Sequence, residues 1–146
     1  MAEEEQEEKK KNWFWPKLDD EASAVDAAKS GAVGGGMLVL GLLLPIAFYV
    51  FSGDPVVYDY ETSGGFYLSQ GIQILVAALL TWRVWVQKGF VAAILLFAWV
   101  AIEVSLKLTT GQLNPGWMIA WFFALLSLLH SIRGHWKLRS LRRAPA

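Results

Sequence analysis

The chain reads as an all-α membrane protein: four transmembrane helices in an antiparallel, hairpin-linked bundle, with both termini cytoplasmic. Three observations predict this. Of 146 residues, 55% are hydrophobic, and they gather in long unbroken runs, which soluble domains of this size seldom carry. Four of those runs approach the about 20 apolar residues that cross roughly 30 Å of hydrocarbon. Apart from Lys107 at the edge of the third run, the lysines and arginines fall before the first run, around the connection between the second and third, and after the last, which is the bias of cytoplasmic segments. Lipid offers no partner for an open backbone, so the runs are helices rather than strands, and period-two alternation is absent.

The elements follow in chain order. Residues 1–12 are charged with no apolar anchor, and a disordered, solvated tail is expected. No apolar stretch follows that charged opening directly, so no cleavable signal peptide is expected and the first span stays as an anchor. Residues 13–30 form a cytoplasmic or interfacial helical segment. Trp13, Phe14 and Trp15 suit the headgroup layer, and Asp19 or Asp20 can cap a helix. From Asp20 to Ser30 the apolar side is mostly alanine, so this segment extends the first span along the surface or against a partner.

The transmembrane domain covers 31–132, with spans at about 31–51, 66–86, 90–108 and 116–132. Ser23, Ala27, Gly31 and Gly35 recur every four residues, a stripe of small side chains that lets helix backbones approach closely. Gly34, Gly36 and Gly41 widen it. The stripe serves packing inside the bundle, or docking of another protein's helix or a second copy. Pro45 is expected to kink the first span. The loop 52–65 carries Asp54, Asp59 and Glu61, whose spacing matches no tight calcium loop. Gly89 suits a helix end between the second and third spans. Gly111, Pro115 and Gly116 break the chain before the fourth. Residues 133–146 are a basic cytoplasmic tail. There Arg133, Lys137, Arg139, Arg142 and Arg143 are candidate contacts for lipid headgroups, each contributing about 1 kcal/mol at an anionic leaflet. Tyr49, Tyr58, Tyr60 and Tyr67 fall near the outer interface, and Trp13, Trp15, Trp82, Trp85 and Trp136 near the inner one.

Two charges interrupt the third apolar run, Glu103 and Lys107. At 1.5 Å per residue, Glu103 and Gln73 both lie about 10 Å below the outer ends of neighbouring helices. Three readings follow. Glu103 and Lys107 pair at i,i+4 and mask each other. Alternatively, Glu103 bonds Gln73 across the interface, polar glue typically worth about 0.6 kcal/mol. Or Glu103 is a proton or cation site, as intramembrane acids often are. Ser69, Gln70 and Gln73 extend the polar patch outward. Toward the cytoplasm come Trp99, Phe97, Leu96 and Leu95, and the second span adds only Thr81. The patch therefore stops in the outer half, which argues against conduction through one subunit.

Composition removes several chemistries. The chain has no cysteine, so disulfides, thiolate metal sites and thiol catalysis are excluded. His130 and His135 are five residues apart and point in different directions from one helix, so they do not hold a haem between them. A formal charge of +0 gives no field of one sign to draw nucleic acid. No protease, hydrolase or nucleotide-binding motif occurs in its structural context. No cofactor, metal or catalytic residue is expected.

The approach to the first span, with Ala24, Ala28 and Gly31, and the exit from the last, Ile132-Arg133-Gly134 within "SIRGHW", resemble small bacterial four-helix membrane proteins. That resemblance implies a bacterial inner-membrane setting and no particular activity. Small multidrug exporters also have four short helices, but their essential acid lies in the first span, which here has none. The expected function is that of a non-enzymatic accessory or structural subunit whose partners are membrane lipids and another membrane protein or itself. The alternatives are a homo-oligomeric small transporter or channel using Glu103, and a lipid-associated membrane protein.

Overall fold

The computed structural model describes residues 17–52, 63–87, 89–111 and 115–143. The expectations for the tail 1–12, for Trp13, Phe14 and Trp15, for Tyr58 and Tyr60, and for Asp54, Asp59 and Glu61 lie outside the described residues.

Four helices form: α1 (Glu21–Ser52), α2 (Ser63–Trp85), α3 (Phe90–Thr109) and α4 (Pro115–Arg143). Asp20 starts α1. The Ser23 N–H donates to Asp20 Oδ1 at 2.7 Å and the Asp20 N–H donates to Ser23 Oγ at 3.3 Å, a reciprocal cap that satisfies two otherwise open donors. Ser23 therefore serves the helix start. With 32 residues, α1 is about 48 Å long. It runs unbroken through Pro45, and the segment 21–30 continues the span directly.

At the end of α2 the Val86 N–H donates to Trp82 O at 3.0 Å and the Gln87 N–H to Val84 O at 3.1 Å. The left-handed residue that closes this end is Gln87, φ 59°, where glycine is usual. Gly89 has a different job. A Cβ there would lie 2.7 Å from the Arg83 carbonyl carbon and oxygen, so the chain turns back against its own helix. The Ala93 N–H then donates to Gly89 O at 2.8 Å and opens α3. That helix ends where the Thr110 N–H reaches Leu106 O at 3.0 Å and Gly111 takes φ 68°. Pro115, whose missing N–H costs nothing at a first helical position, opens α4. The helix continues past Ile132 to Arg143, so the basic segment is helical up to that residue.

Neighbouring helices are antiparallel. Along α1 and α4, Glu21 meets Arg142, Ser30 meets Ser127, and Gly41 meets Trp121. Along α1 and α2, Gly31 meets Val84 and Gly35 meets Thr81. Along α3 and α4, Phe90 meets Trp136 and Lys107 meets Trp121. The most extensive packing is α1 on α4, then α1 on α2, with α3 closing the ring between α2 and α4. The core is apolar: Leu38, Leu42, Ala77, Val84, Ala93, Leu96, Val100, Trp121, Ala124 and Leu128. A second small cluster, Ala24, Ala28 and Leu138, joins α1 to α4 beyond the end of α2. Large apolar side chains cover the outside, as lipid requires. Leu40, Leu75, Val91 and Ile119 are each at least 60% exposed.

Three helices, α1, α3 and α4, are long and apolar enough to cross a membrane, which fits a membrane protein. The first and last helical residues described lie at the same end as the α2–α3 turn, here called the basic end.

Candidate functional site

Among the described residues, α3 carries two charges along its buried face within the apolar layer. Its buried stripe is Ala93, Leu96 and Val100, and the same three-and-four spacing reaches Glu103 and Lys107. Lys107 Nζ lies 3.3 Å from Glu103 Oε2, with side chains 32% and 26% exposed. The ammonium also sits 4.9 Å from the centre of the Trp121 ring on α4. Trp121 is itself 4% exposed and presses on the face of α1 at Gly41. The pair is thus stacked on an indole that ties three helices together. Cation–ring attraction of this kind adds about 0.5–1 kcal/mol at exposed sites and more when water is excluded. Gln73 turns along its own helix: its Nε2 donates to Ser69 Oγ at 3.2 Å. The structure thus pairs Glu103 with Lys107 and leaves Gln73 with Ser69. One turn further out, Gln70 Oε1 is buried without a hydrogen-bond partner among the described residues.

The small-residue stripe lies inside the bundle. At Gly31 a Cβ would lie 2.5 Å from Ser131 Cβ, and at Gly34 it would lie 2.6 Å from the Ala124 carbonyl oxygen. At Gly35 it would collide with the Thr81 side chain, and at Gly134 with the Ala28 backbone nitrogen. Ala27 is buried as well. The helices approach here because no side chain stands between them, and cross-helix bonds use the closeness. Ser131 Oγ donates to Ala28 O at 2.6 Å, and Ser30 Oγ donates to Ser127 O at 3.1 Å. Gly36 alone of the cluster faces open space, with nothing within 4 Å.

Aromatic and cationic groups collect at the basic end. Arg139 lies over Phe90 at 4.5 Å, Phe90 tilts against Trp136 at 6.0 Å, and Lys29 lies over Trp85 at 5.6 Å. Arg142 reaches Glu21 at 4.0 Å. Arg139, Arg142 and Arg143 are exposed, and Arg133 and Lys137 are half-buried. These five are presented along one continuous helix.

Sequence reasoning assigned no packing role to Trp121, Thr81, Gly134 or the buried pair Ser131 and His135. A usable signal existed for α4. Residues 121, 124, 128, 131, 135 and 138 follow three-and-four spacing, so a serine and a histidine had to face inward with the apolar set. No group of three or more metal-ligating side chains occurs among the described residues. No family model, curated protein or solved structure matches this chain.

Proposed function

We propose that this chain is a non-enzymatic, four-span integral membrane protein of a bacterial inner membrane, an accessory or structural subunit that packs within a larger membrane assembly. Both termini face the cytoplasm. Support for the fourth crossing comes from α2, which has 23 residues, about 34 Å, and lies antiparallel between two membrane-length helices. The basic residues at the shared end of α1, α4 and the α2–α3 turn support the orientation.

The observation that carries the role is the α1–α4 pair. These helices have 32 and 29 residues, so each exceeds the roughly 30 Å hydrocarbon layer by a third or more. They remain packed beyond the end of α2 through Ala24, Ala28, Gly134 and Leu138. A lipid-only anchor needs no such rigid projection. Its exposed rim mixes Glu21 and Asp26 with Arg139, Arg142 and Trp136, a surface suited to a folded partner. Glu103, already neutralised by Lys107 and backed by Val100 and Leu96, suits a structural role better than an ion path.

Mild-detergent purification of tagged chain tests this reading. A stoichiometric membrane partner is expected, and it should be lost when Arg139 and Arg142 are changed to Glu while the purified variant keeps its helicity. Wild-type chain that elutes as a clean monomer with no associated protein overturns it. Impermeant thiol reagents applied from outside should label Gly111→Cys and spare Ser140→Cys. The reverse pattern refutes the orientation.

A further inference from the structure

We propose that His135 is an acid-sensitive latch on the α1–α4 seam: protonating its imidazole loosens residues 24–31 from residues 131–138 and frees the projecting ends of both helices. This does not depend on which partner, if any, the basic end meets.

Ser131 and His135 are the buried polar residues of the described structure, 0% and 3% exposed. His135 Nδ1 lies 2.9 Å from Ser131 O. A carbonyl oxygen only accepts, so Nδ1 carries the proton and Nε2 carries the lone pair. Ser131 Oγ, 3.4 Å from Nδ1, is already committed as the donor to Ala28 O across the seam. Nε2 is buried with no hydrogen-bond partner among the described residues. A neutral ring tolerates that, because an unfilled lone pair in apolar surroundings costs less than an unpaired N–H⁺. A second proton would place a charged donor there with nothing among the described residues to receive it. The seam cannot rearrange locally to supply an acceptor, because Gly134 sits directly against the α1 backbone at Ala24, Ala27 and Ala28. Relief therefore requires α1 and α4 to part.

The surrounding charges favour the neutral ring. On α1 the charged residues at this level are Glu21, Asp26 and Lys29; α2 contributes Arg83; and α4 contributes Arg133, Lys137, Arg139 and Arg142. Charged residues of α3 lie at its far end. Glu21 is engaged with Arg142, Asp26 is exposed, and neither carboxylate pairs with the ring. His135 also lies beyond the apolar run of α4, which ends at Ile132, on the far side of the Lys29, Trp85 and Arg133 level, so protons reach it from water once the seam breathes.

Burial pushes the imidazole below its ordinary value of 6.5; the Ser131 carbonyl pulls it back up, and Arg139 lowers it further. The closed form thus binds a proton less readily than the open form. Stability of the seam is full above about pH 6.5. It falls as pH drops below that value, by up to about tenfold in the opening equilibrium per pH unit, until the closed form also protonates.

The chain has no native cysteine, so single cysteines report opening. Leu138→Cys, buried in the seam, is compared with Ser140→Cys, exposed on the same helix, which corrects for thiol ionisation. From pH 7.5 to 5.5 the corrected labelling rate at position 138 should rise several-fold, up to about tenfold. In a His135→Asn background, which keeps a donor toward Ser131 O but does not titrate, it should stay flat. Where Leu138→Cys fails to fold, the thermal midpoint of the cysteine-free protein replaces it. That midpoint should fall on acidification with His135 present and hold in His135→Asn or His135→Gln. A flat response with His135, or an equal response without it, overturns the latch.

Discussion

Gly134→Ala adds one carbon where the structure has no room. The new Cβ would lie 2.7 Å from Ala24 O and 2.8 Å from Ala27 C, whereas ordinary contact begins at 3.4 Å. Helix α4 must therefore retreat by at least 3.4 Å less 2.7 Å, about 0.7 Å, and further to clear the Ala28 backbone nitrogen, which lies nearer still. The obstructing atoms are backbone, so no side-chain rotation relieves them. A gap of about 0.5–1 Å forfeits a quarter to a half of the dispersion energy of the atoms facing it. The same movement lengthens the 2.6 Å Ser131–Ala28 hydrogen bond. Because the obstruction is backbone, the overpacking cost takes the upper part of the usual range, about 2–3 kcal/mol, partly offset by the roughly 1 kcal/mol that alanine gains over glycine in a helix. A net loss of about 1–2 kcal/mol is expected, a factor of roughly 5–30 in the folded-to-unfolded ratio. Gly36→Ala supplies the control. With nothing within 4 Å of that position, it should be neutral or stabilising by up to about 1 kcal/mol. Denaturant unfolding in one fixed detergent measures both. If Gly134→Ala matches the wild type, or Gly36→Ala is the more harmful, close backbone approach is not what joins α1 to α4.

The remaining expectations use the same preparation. Gly35→Ala should destabilise through its collision with Thr81, and adding Thr81→Gly should recover part of the loss; strict additivity in the double-mutant cycle rejects the contact. Gln87→Gly should stabilise by about 1 kcal/mol by relieving the left-handed backbone at φ 59°, provided the unfolded chain gains little freedom; a loss of stability argues against that turn. Glu103→Gln should leave proton-coupled flux in reconstituted vesicles unchanged and, with Lys107→Met, show a pair coupling of about 0.3–0.5 kcal/mol. A flux that disappears would return Glu103 to the role of transport site.

Much of this architecture was legible because lipid imposes a single rule, that apolar runs of sufficient length become helices. The small-residue stripe was legible for the same kind of reason: glycine is costly in a helix, so its clustering marks backbone contact. Which helix fills the stripe was not legible. Ser131 and Thr81 are ordinary polar residues in sequence, and only the antiparallel register places them against Gly31 and Gly35. Glu103 was legible as an anomaly, and its i,i+4 partner follows from spacing alone. Trp121 beneath Lys107 does not, because that depends on the tilt of α3 against α4. The turn at Gln87 reversed an expectation. The conformational demand falls on glutamine and the steric demand on Gly89, since glycine here is selected by crowding from Arg83.

The pairing of the first helix with the last has a consequence for biogenesis. The cross-helix hydrogen bonds join residues 97 and 103 positions apart, whereas α2 reaches α1 much sooner. At about 5–20 residues per second, a ribosome takes roughly 5–20 s to travel from Ser30 to Ser127. Throughout that interval the α1 groove at Gly31 and Gly34 stands vacant in the bilayer, with an α1–α2 hairpin waiting for its final strut. Any foreign segment with a smooth face has that long to occupy it first, and a chain cut short before Pro115 never fills it.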